Sequence, residues 1–199
     1  MRDVQGDLKI RLITLDFQDE QVIGRLGREL ESLFHARVGI LHRELDSCAF
    51  LDFDRNQLNS CAVLRWLEED LRRNGTGQTV TKSLAVTARD LCTPMLTFVF
   101  GEARLEGGCA VVSSCRLRNE FYGLPHDPVL FSERLLKECA HELCHAFGLI
   151  HCNHPECIMK SSTCVEQIDL KASRFCERCR NELAVRNCVS KIDAPTLRF

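Results

Sequence analysis

The sequence predicts an α+β fold built on a mixed sheet of four or five strands, and three observations carry this. Five short runs rich in β-branched, leucine or aromatic residues are separated by turn-forming punctuation. Two segments with apolar residues three and four apart alternate with the early runs, and a third, longer one follows the last of them.

Residues 8–16 (LKIRLITLD) alternate apolar and polar positions at their start and are rich in Ile and Leu, which makes a first strand. Residues 18–35 place Val22, Ile23, Leu26, Leu30, Leu33 and Phe34 on one helical face. This strand–helix opening suits α/β as well as α+β. Residues 38–42 read as a second strand. Residues 59–73 read as a helix with Val63, Leu64, Leu67 and Leu71 on its apolar side and Asn74-Gly75 as its stop, and Trp66 is expected in the core. Residues 83–90 (SLAVTARD), 96–101 (LTFVFG) and 109–117 (CAVVSSCRL) are three further strands, parted by Thr-Pro and Gly-Gly. Asp127 and Pro128 supply the cap and first position of the clearest helix, whose apolar positions run through Leu136, Cys139, Ala140, Leu143 and Phe147 to Gly148. Beyond Gly148 the composition shifts to Cys, His, Ser and charge, with a short helix over 176–185 and a loose tail from Asp193 to Phe199.

The 199 residues are 45% apolar and 27% charged, with only 11 Gly and 5 Pro, which excludes a disordered or fibrous chain. Twenty-six Lys and Arg against 28 Asp and Glu leave a net charge of −2, so no basic field marks a dedicated nucleic-acid binder. No apolar run approaches a membrane span, and the charged start at residues 1–7 lacks a signal-peptide core, so a cytoplasmic protein is expected. Thirteen cysteines, an odd number, then point to thiols and metal ligands in a reducing compartment.

The long helix contains His141-Glu142-Leu143-Cys144-His145. Residues four apart share a helix face, so the two imidazoles converge on one ion, and Glu142 is close enough to address its water. Gly148 lets the chain turn left-handed after the helix and return His151 as a third ligand. Three neutral imidazoles leave zinc an open position for water, lower the pKa of that water to about 7, and suit amide hydrolysis with Glu142 as general base. With only 7 His and 11 Gly in the chain, the five fixed positions of HELCHAFGLIH match by chance with a probability on the order of a few in 100,000.

Cys152 and Cys157 follow at C-x4-C, and Cys176 and Cys179 at C-x2-C. Two short pairs across a loop are how four thiolates close a tetrahedral structural zinc site, with Cys164 and His154 as rival ligands. The nine other cysteines are scattered singly and read mostly as small buried hydrophobes.

His141, Glu142, His145, Gly148, His151, Cys152, Cys157, Met159, Cys176 and Cys179 together resemble the archaemetzincins, a metzincin-like group of zinc peptidases, and SLAVTARD and FVFGEA extend the likeness over most of the chain. The one departure is the stretch of sixteen residues between Met159 and Cys176, about one shorter than the family pattern, which a loop absorbs. The resemblance implies two Zn2+ per chain. One is catalytic, on His141, His145 and His151 with Glu142 as base; the other is structural, on Cys152, Cys157, Cys176 and Cys179. It also implies a Met-turn at Met159, a metzincin-like upper part (residues 1–151) with sheet, backing helix and active-site helix, and a small zinc-stapled C-terminal part (residues 152–199). By position, 109–117 is the candidate edge strand for pairing with substrate, with a plain internal strand as the equal alternative.

The function these observations point to is a zinc metallopeptidase with an aminopeptidase-like preference, acting as a monomer on peptide or protein substrates with no nucleic-acid or membrane partner. The alternative is a zinc-stabilised protein- or nucleic-acid-binding module whose catalytic site is vestigial. Glu142 argues against it, because a binding module has no use for a general base. Lys171, Arg174, Arg178, Arg180 and Arg186 could meet phosphate, but Glu166, Asp169, Glu177 and Glu182 among them read as a solvated mixed-charge face. Tyr122, His35, His42 and His126 are expected in packing or surface roles.

Overall fold

The computed structural model describes residues 8–44, 49–74 and 81–189; Cys48, the Gly75 stop, the start at 1–7 and the tail from Asp193 to Phe199 lie outside them. In chain order the elements are β1 (Lys9–Leu15), α1 (Glu20–Phe34), β2 (Arg37–Arg43), β3 (Leu51–Asp52), β4 (Gln57–Asn59), α2 (Ser60–Asn74), β5 (Thr81–Thr87), β6 (Leu91–Cys92), β7 (Gly101–Ala103), β8 (Cys109–Ser113), α3 (Pro128–Ala146), α4 (Val165–Asp169) and α5 (Glu177–Val189). The main sheet has five strands in the order β2-β1-β5-β8-β7, all parallel except β7, which runs antiparallel along the outer edge of β8. The expected α+β class with a mixed sheet is what the chain forms.

Side chains alternate across a strand, and here both sheet faces are covered. Ile10, Leu12, Leu84, Val86, Ala110 and Val112 pack with α1 and α3, whereas Ile13, Leu15, Ala85, Cys109 and Val111 pack under Val63, Leu64 and Leu67 of α2. The polar positions of β1 are therefore not a solvent face. Arg11 is buried and donates to Asp70 of α2 and to Ser83 Oγ, and Thr14 Oγ1 lies 2.8 Å from His42 Nδ1. Trp66 is half-buried at the margin of the second cluster, edge-on to Phe50.

The caps fall where side-chain chemistry puts them. Asp19 accepts from the Val22 amide at the start of α1, Asn59 from Ala62 at α2, and Asp127 from Val129 and Leu130 at α3, with Pro128 in the first helical turn.

Three expectations need correction. Residues 96–100 are irregular, with a single β-bridge between Val99 and Leu91, and the strand begins only at Gly101. The strand from Cys109 ends at Ser113, after which Cys115–Leu117 forms a 3-10 turn. It also lies between β5 and β7, so β8 is internal and β7 is the edge. The β3-β4-β6 sheet and α4 escape sequence reading because elements of two to five residues are too short to show a period.

Helix α3 is central, with 13 of its 19 residues buried, so its charged residues need partners. Arg134 makes a two-pronged contact to Asp169 at 2.7 Å and also donates to Leu117 O and Asn119 Oδ1; Lys137 donates to Ile168 O; Glu138 accepts from Lys171. Lys171 is thus buried in the seam beneath α3 and does not belong to the mixed-charge surface, where Arg174 pairs with Glu156 and Arg186 with Glu182. Cys152, Cys157, Ile158, Met159, Val165, Ile168, Phe175, Cys179 and Leu183 join the same core cluster as α1 and α3, so the C-terminal segment shares one core with the sheet.

Candidate active site

At the end of α3 the chain reverses at Gly148, whose φ of +93° suits glycine. The reversal lets the Leu149 amide reach Cys144 O at 2.9 Å and brings the Leu149 carbonyl to 2.7 Å from His145 Nδ1. Further on, the Ile158 carbonyl lies 2.8 Å from His141 Nδ1, while Met159 O accepts from the Cys152 amide at 2.8 Å. Met159 is fully buried next to this carbonyl.

These contacts fix the tautomers. A carbonyl can only accept, so both Nδ1 atoms carry the proton and both Nε2 atoms present a lone pair. The two Nε2 atoms face each other at 3.1 Å. Two lone pairs at that separation repel unless a cation lies between them. Zinc bound at about 2.0–2.1 Å from each nitrogen in tetrahedral geometry would set them about 3.3–3.4 Å apart. His151 completes the group: its ring lies 5.2 Å from that of His141 and 4.8 Å from that of His145, and one ligand nitrogen from each of the three falls within 4.8 Å of the others. Burial holds all three imidazoles below the usual histidine pKa, so they are neutral at pH 7, as ligands must be. The donor set fits zinc.

Glu142 is buried on the neighbouring face of α3. Burial, reinforced by Glu138 and Glu102, lifts its carboxyl well above the usual range, the direction that suits a group taking and returning a proton near neutral pH. Strand β7 passes directly over it: a Cβ on Gly101 would sit 2.6 Å from Glu142 Cγ and 2.9 Å from Val111 O. Gly101→Ala must therefore push Glu142 aside, and a shift of about 1 Å in a catalytic group costs on the order of 10²-fold. We expect that loss in kcat with the fold retained, measured as turnover beside the far-UV spectrum; full activity in the variant would contradict it.

A cleft of about 320 Å³ opens between residues 96–101 on one side and Ser161, Ser162 and Thr163 on the other, with Glu138, His141, Glu142 and His151 in its wall. Hollows of about 560–670 Å³ elsewhere on the surface border none of the three histidines.

The second cluster joins the chain leaving the active site to the start of α5. The sulfurs of Cys152, Cys157, Cys176 and Cys179 lie within 4.8 Å of one another, with Cys152 and Cys176 at 3.7 Å, close to the roughly 3.8 Å set by two Zn–S bonds of about 2.3 Å. The amides of His154 and Cys176 donate to the sulfurs of Cys152 and Cys157. The Cys179 amide brings the Cys176 thiol down to about 7, whereas burial pushes Cys157 and Cys179 up. Amide donors on the sulfurs fit a bound cation, which needs thiolates.

Every site residue expected from the sequence falls into one of these two groups or beside them. Cys164 sits before α4 and outside the four sulfurs, and His154 is exposed, meeting the group through its backbone, whose amide donates to Cys152 Sγ and whose carbonyl accepts from the Cys157 amide. Tyr122 is half-exposed and donates to Arg116 O, His126 pairs with Glu120, and His35 ends α1. Sequence reading places Lys171 on the surface and misses Gly101 and Glu138. Of the two missed, only Gly101 leaves a trace, as the glycine that ends an apolar run.

A family model for Peptidase family M54 matches residues 37–185. The archaemetzincin of Pyrococcus furiosus is 38% identical over 171 residues, covering 83% of this chain and 86% of that protein, and the archaemetzincin of Methanocaldococcus jannaschii is 41% identical over 137 residues, covering 68% and 70%. A crystal structure of a zinc-dependent peptidase from Methanocorpusculum labreanum superposes with a TM-score of 0.80 at 32% identity, covering 87% of this chain and 99% of that one. The crystal structure of archaemetzincin from Methanopyrus kandleri gives 0.75 at 31%, covering 94% and 98%.

Proposed function

The chain belongs to Peptidase family M54, the archaemetzincins, and is a zinc metallopeptidase with peptide substrates; from that premise we propose that His141, His145 and His151 hold the catalytic zinc, that Glu142 is the general base, and that Cys152, Cys157, Cys176 and Cys179 hold a second, structural zinc. The observation that carries the reading is the pair of unprotonated Nε2 atoms facing each other at 3.1 Å, with both Nδ1 protons committed to carbonyls.

When bound, zinc supplies Lewis acidity toward the scissile carbonyl and a water acidic enough to attack at neutral pH. The Ile158 and Leu149 carbonyls orient the two helical imidazoles, and the Gly148 turn delivers the third. Glu142 takes the proton of the attacking water and returns it to the leaving amine nitrogen. Strand β7 has no strand neighbour on its outer edge among the described residues, so an extended peptide can add there beside Glu142. Met159, buried beside the Ile158 carbonyl, is read as the Met-turn residue.

In this reading residues 1–151 form the upper part and 152–199 the small zinc-stapled part, and the protein acts as a cytoplasmic monomer without nucleic acid. Both metal groups come from one chain, acidic residues interleave with the basic ones near the second cysteine pair, and thirteen cysteines suit a reducing compartment. No helix among the described residues is long and apolar enough to cross a membrane. An aminopeptidase-like preference predicts faster turnover of a peptide with a free amino terminus than of its acetylated twin.

Metal analysis tests the core of the proposal. We expect two zincs per chain, falling to one in His145→Ala, because the cysteine group does not depend on that imidazole. One zinc in both proteins would leave the histidines without metal and return the reading to a zinc-stabilised binding module.

A further inference from the structure

Beneath the active site the buried ammonium of Lys171 touches two groups that bear on the same imidazole. It donates to Glu138 Oε1 at 3.2 Å and to the Ile158 carbonyl at 3.4 Å, and the Lys171 and Glu138 side chains are 1% and 5% exposed. Glu138 lies on α3 one turn before His141. Ile158 O is the acceptor that fixes the His141 tautomer. A carbonyl has two lone pairs, and here one receives the imidazole proton and the other the ammonium. The donors come from different elements, His141 from α3 and Lys171 from the chain just after α4.

We propose that Lys171, with Glu138 as its counter-ion, is a positioning residue for the catalytic metal: it pins the Ile158 carbonyl so that His141 presents Nε2 to the ion. Residue 158 lies in an irregular stretch, so no ladder of hydrogen bonds holds its carbonyl in place. The ammonium supplies that constraint, and Glu138 ties it to the helix that carries His141. Outer-shell partners of this kind orient ligands, and their loss typically weakens metal binding or activity by 10–100-fold. The inference rests on the three-histidine reading.

A purely structural ion pair would look the same in a static structure, so the test must separate metal positioning from stability. Single substitutions leave a buried charge alone and destabilise the fold, whereas replacing both partners with apolar residues of similar size is often neutral. The deciding protein is therefore the Glu138→Leu/Lys171→Met double variant of the full chain. Zinc affinity of the histidine site is measured by chelator competition, alongside thermal melting, zinc retained by the cysteines, and kcat and KM.

The expected result is a melting temperature close to that of the wild type and a retained cysteine-bound zinc. Zinc on the histidines should bind about 10–100-fold more weakly, and under limiting zinc kcat should fall while KM holds. A double variant that binds zinc on the histidines as tightly as the wild type overturns the proposal. So does a rise in KM alone, which would make Glu138 a substrate contact. A wild-type protein with no metal on its histidines would overturn the three-histidine reading, and this inference with it.

Discussion

Replacing Glu142 with Gln is expected to lower turnover by about 10²–10⁴-fold, the usual contribution of a general acid–base group, while both zincs and the fold stay in place. Gln has the shape of Glu, so the space under Gly101 and Val111 that the side chain occupies remains filled. Among the described residues no hydrogen bond or ion pair engages the Glu142 carboxylate, in contrast to Glu138, which Lys171 engages. What the substitution removes is the ability to take a proton and give it back. Burial has already lifted the Glu142 carboxyl well above the usual range, and a cation on the histidines would oppose that shift. An amide in its place can neither take the proton nor give it back. Zinc per chain, the melting curve and single-turnover hydrolysis of a peptide check this together. Turnover near the wild-type level in a variant that keeps both metals would remove Glu142 from the mechanism.

How far the sequence reaches depends on whether a residue's meaning is local. Helix α3 was legible because its cap, its first-turn proline, its apolar spacing and the glycine after it all lie within one stretch of chain. The histidine and cysteine groups were legible for the same reason, since spacing along a helix or across a short loop fixes which side chains can meet. Lys171 was misread as a surface charge because nothing near it in sequence announces Glu138, 33 positions earlier. Arg11 shows the same limit, its partner Asp70 lying across the sheet on α2. The run at 96–101 looked like a strand because it is apolar, yet much of it lines the cleft wall and pairs only at its end. Gly101 was visible as punctuation, but its purpose, clearance for Glu142, exists only once β7 lies over α3.

The Cys176→Ser/Cys179→Ser variant is expected to lose both zincs and all measurable turnover, a larger effect than the loss of a catalytic ligand. The reason is where the four sulfurs attach. Cys152 directly follows His151, and Cys157 directly precedes Ile158, whose carbonyl orients His141. The cysteine group thus holds both ends of the loop that supplies the third histidine and the acceptor for the first. Structural zinc in small domains has an apparent binding free energy of about 10–16 kcal/mol, as large as the whole stability of a typical domain, about 5–15 kcal/mol. Without it, an irregular segment is left to the backbone contacts from Cys152 to Met159, Ile158 to Arg174 and Ala172 to Glu156 and to the His141 and Lys171 contacts with the Ile158 carbonyl. The packing of Ile158, Met159, Ile168 and Leu183 against α1 and α3 then loosens, and His151 loses its fixed direction. Hydrogen exchange should accelerate across residues 152–189 while β1, β5 and β8 stay protected, because their ladder hydrogen bonds lie within the sheet and one of their faces packs under α2. The asymmetry is the sharp part of the prediction: His145→Ala costs one zinc, the cysteine variant costs two. A cysteine variant that kept one zinc on the histidines and hydrolysed peptide normally would show that the catalytic site stands without its staple.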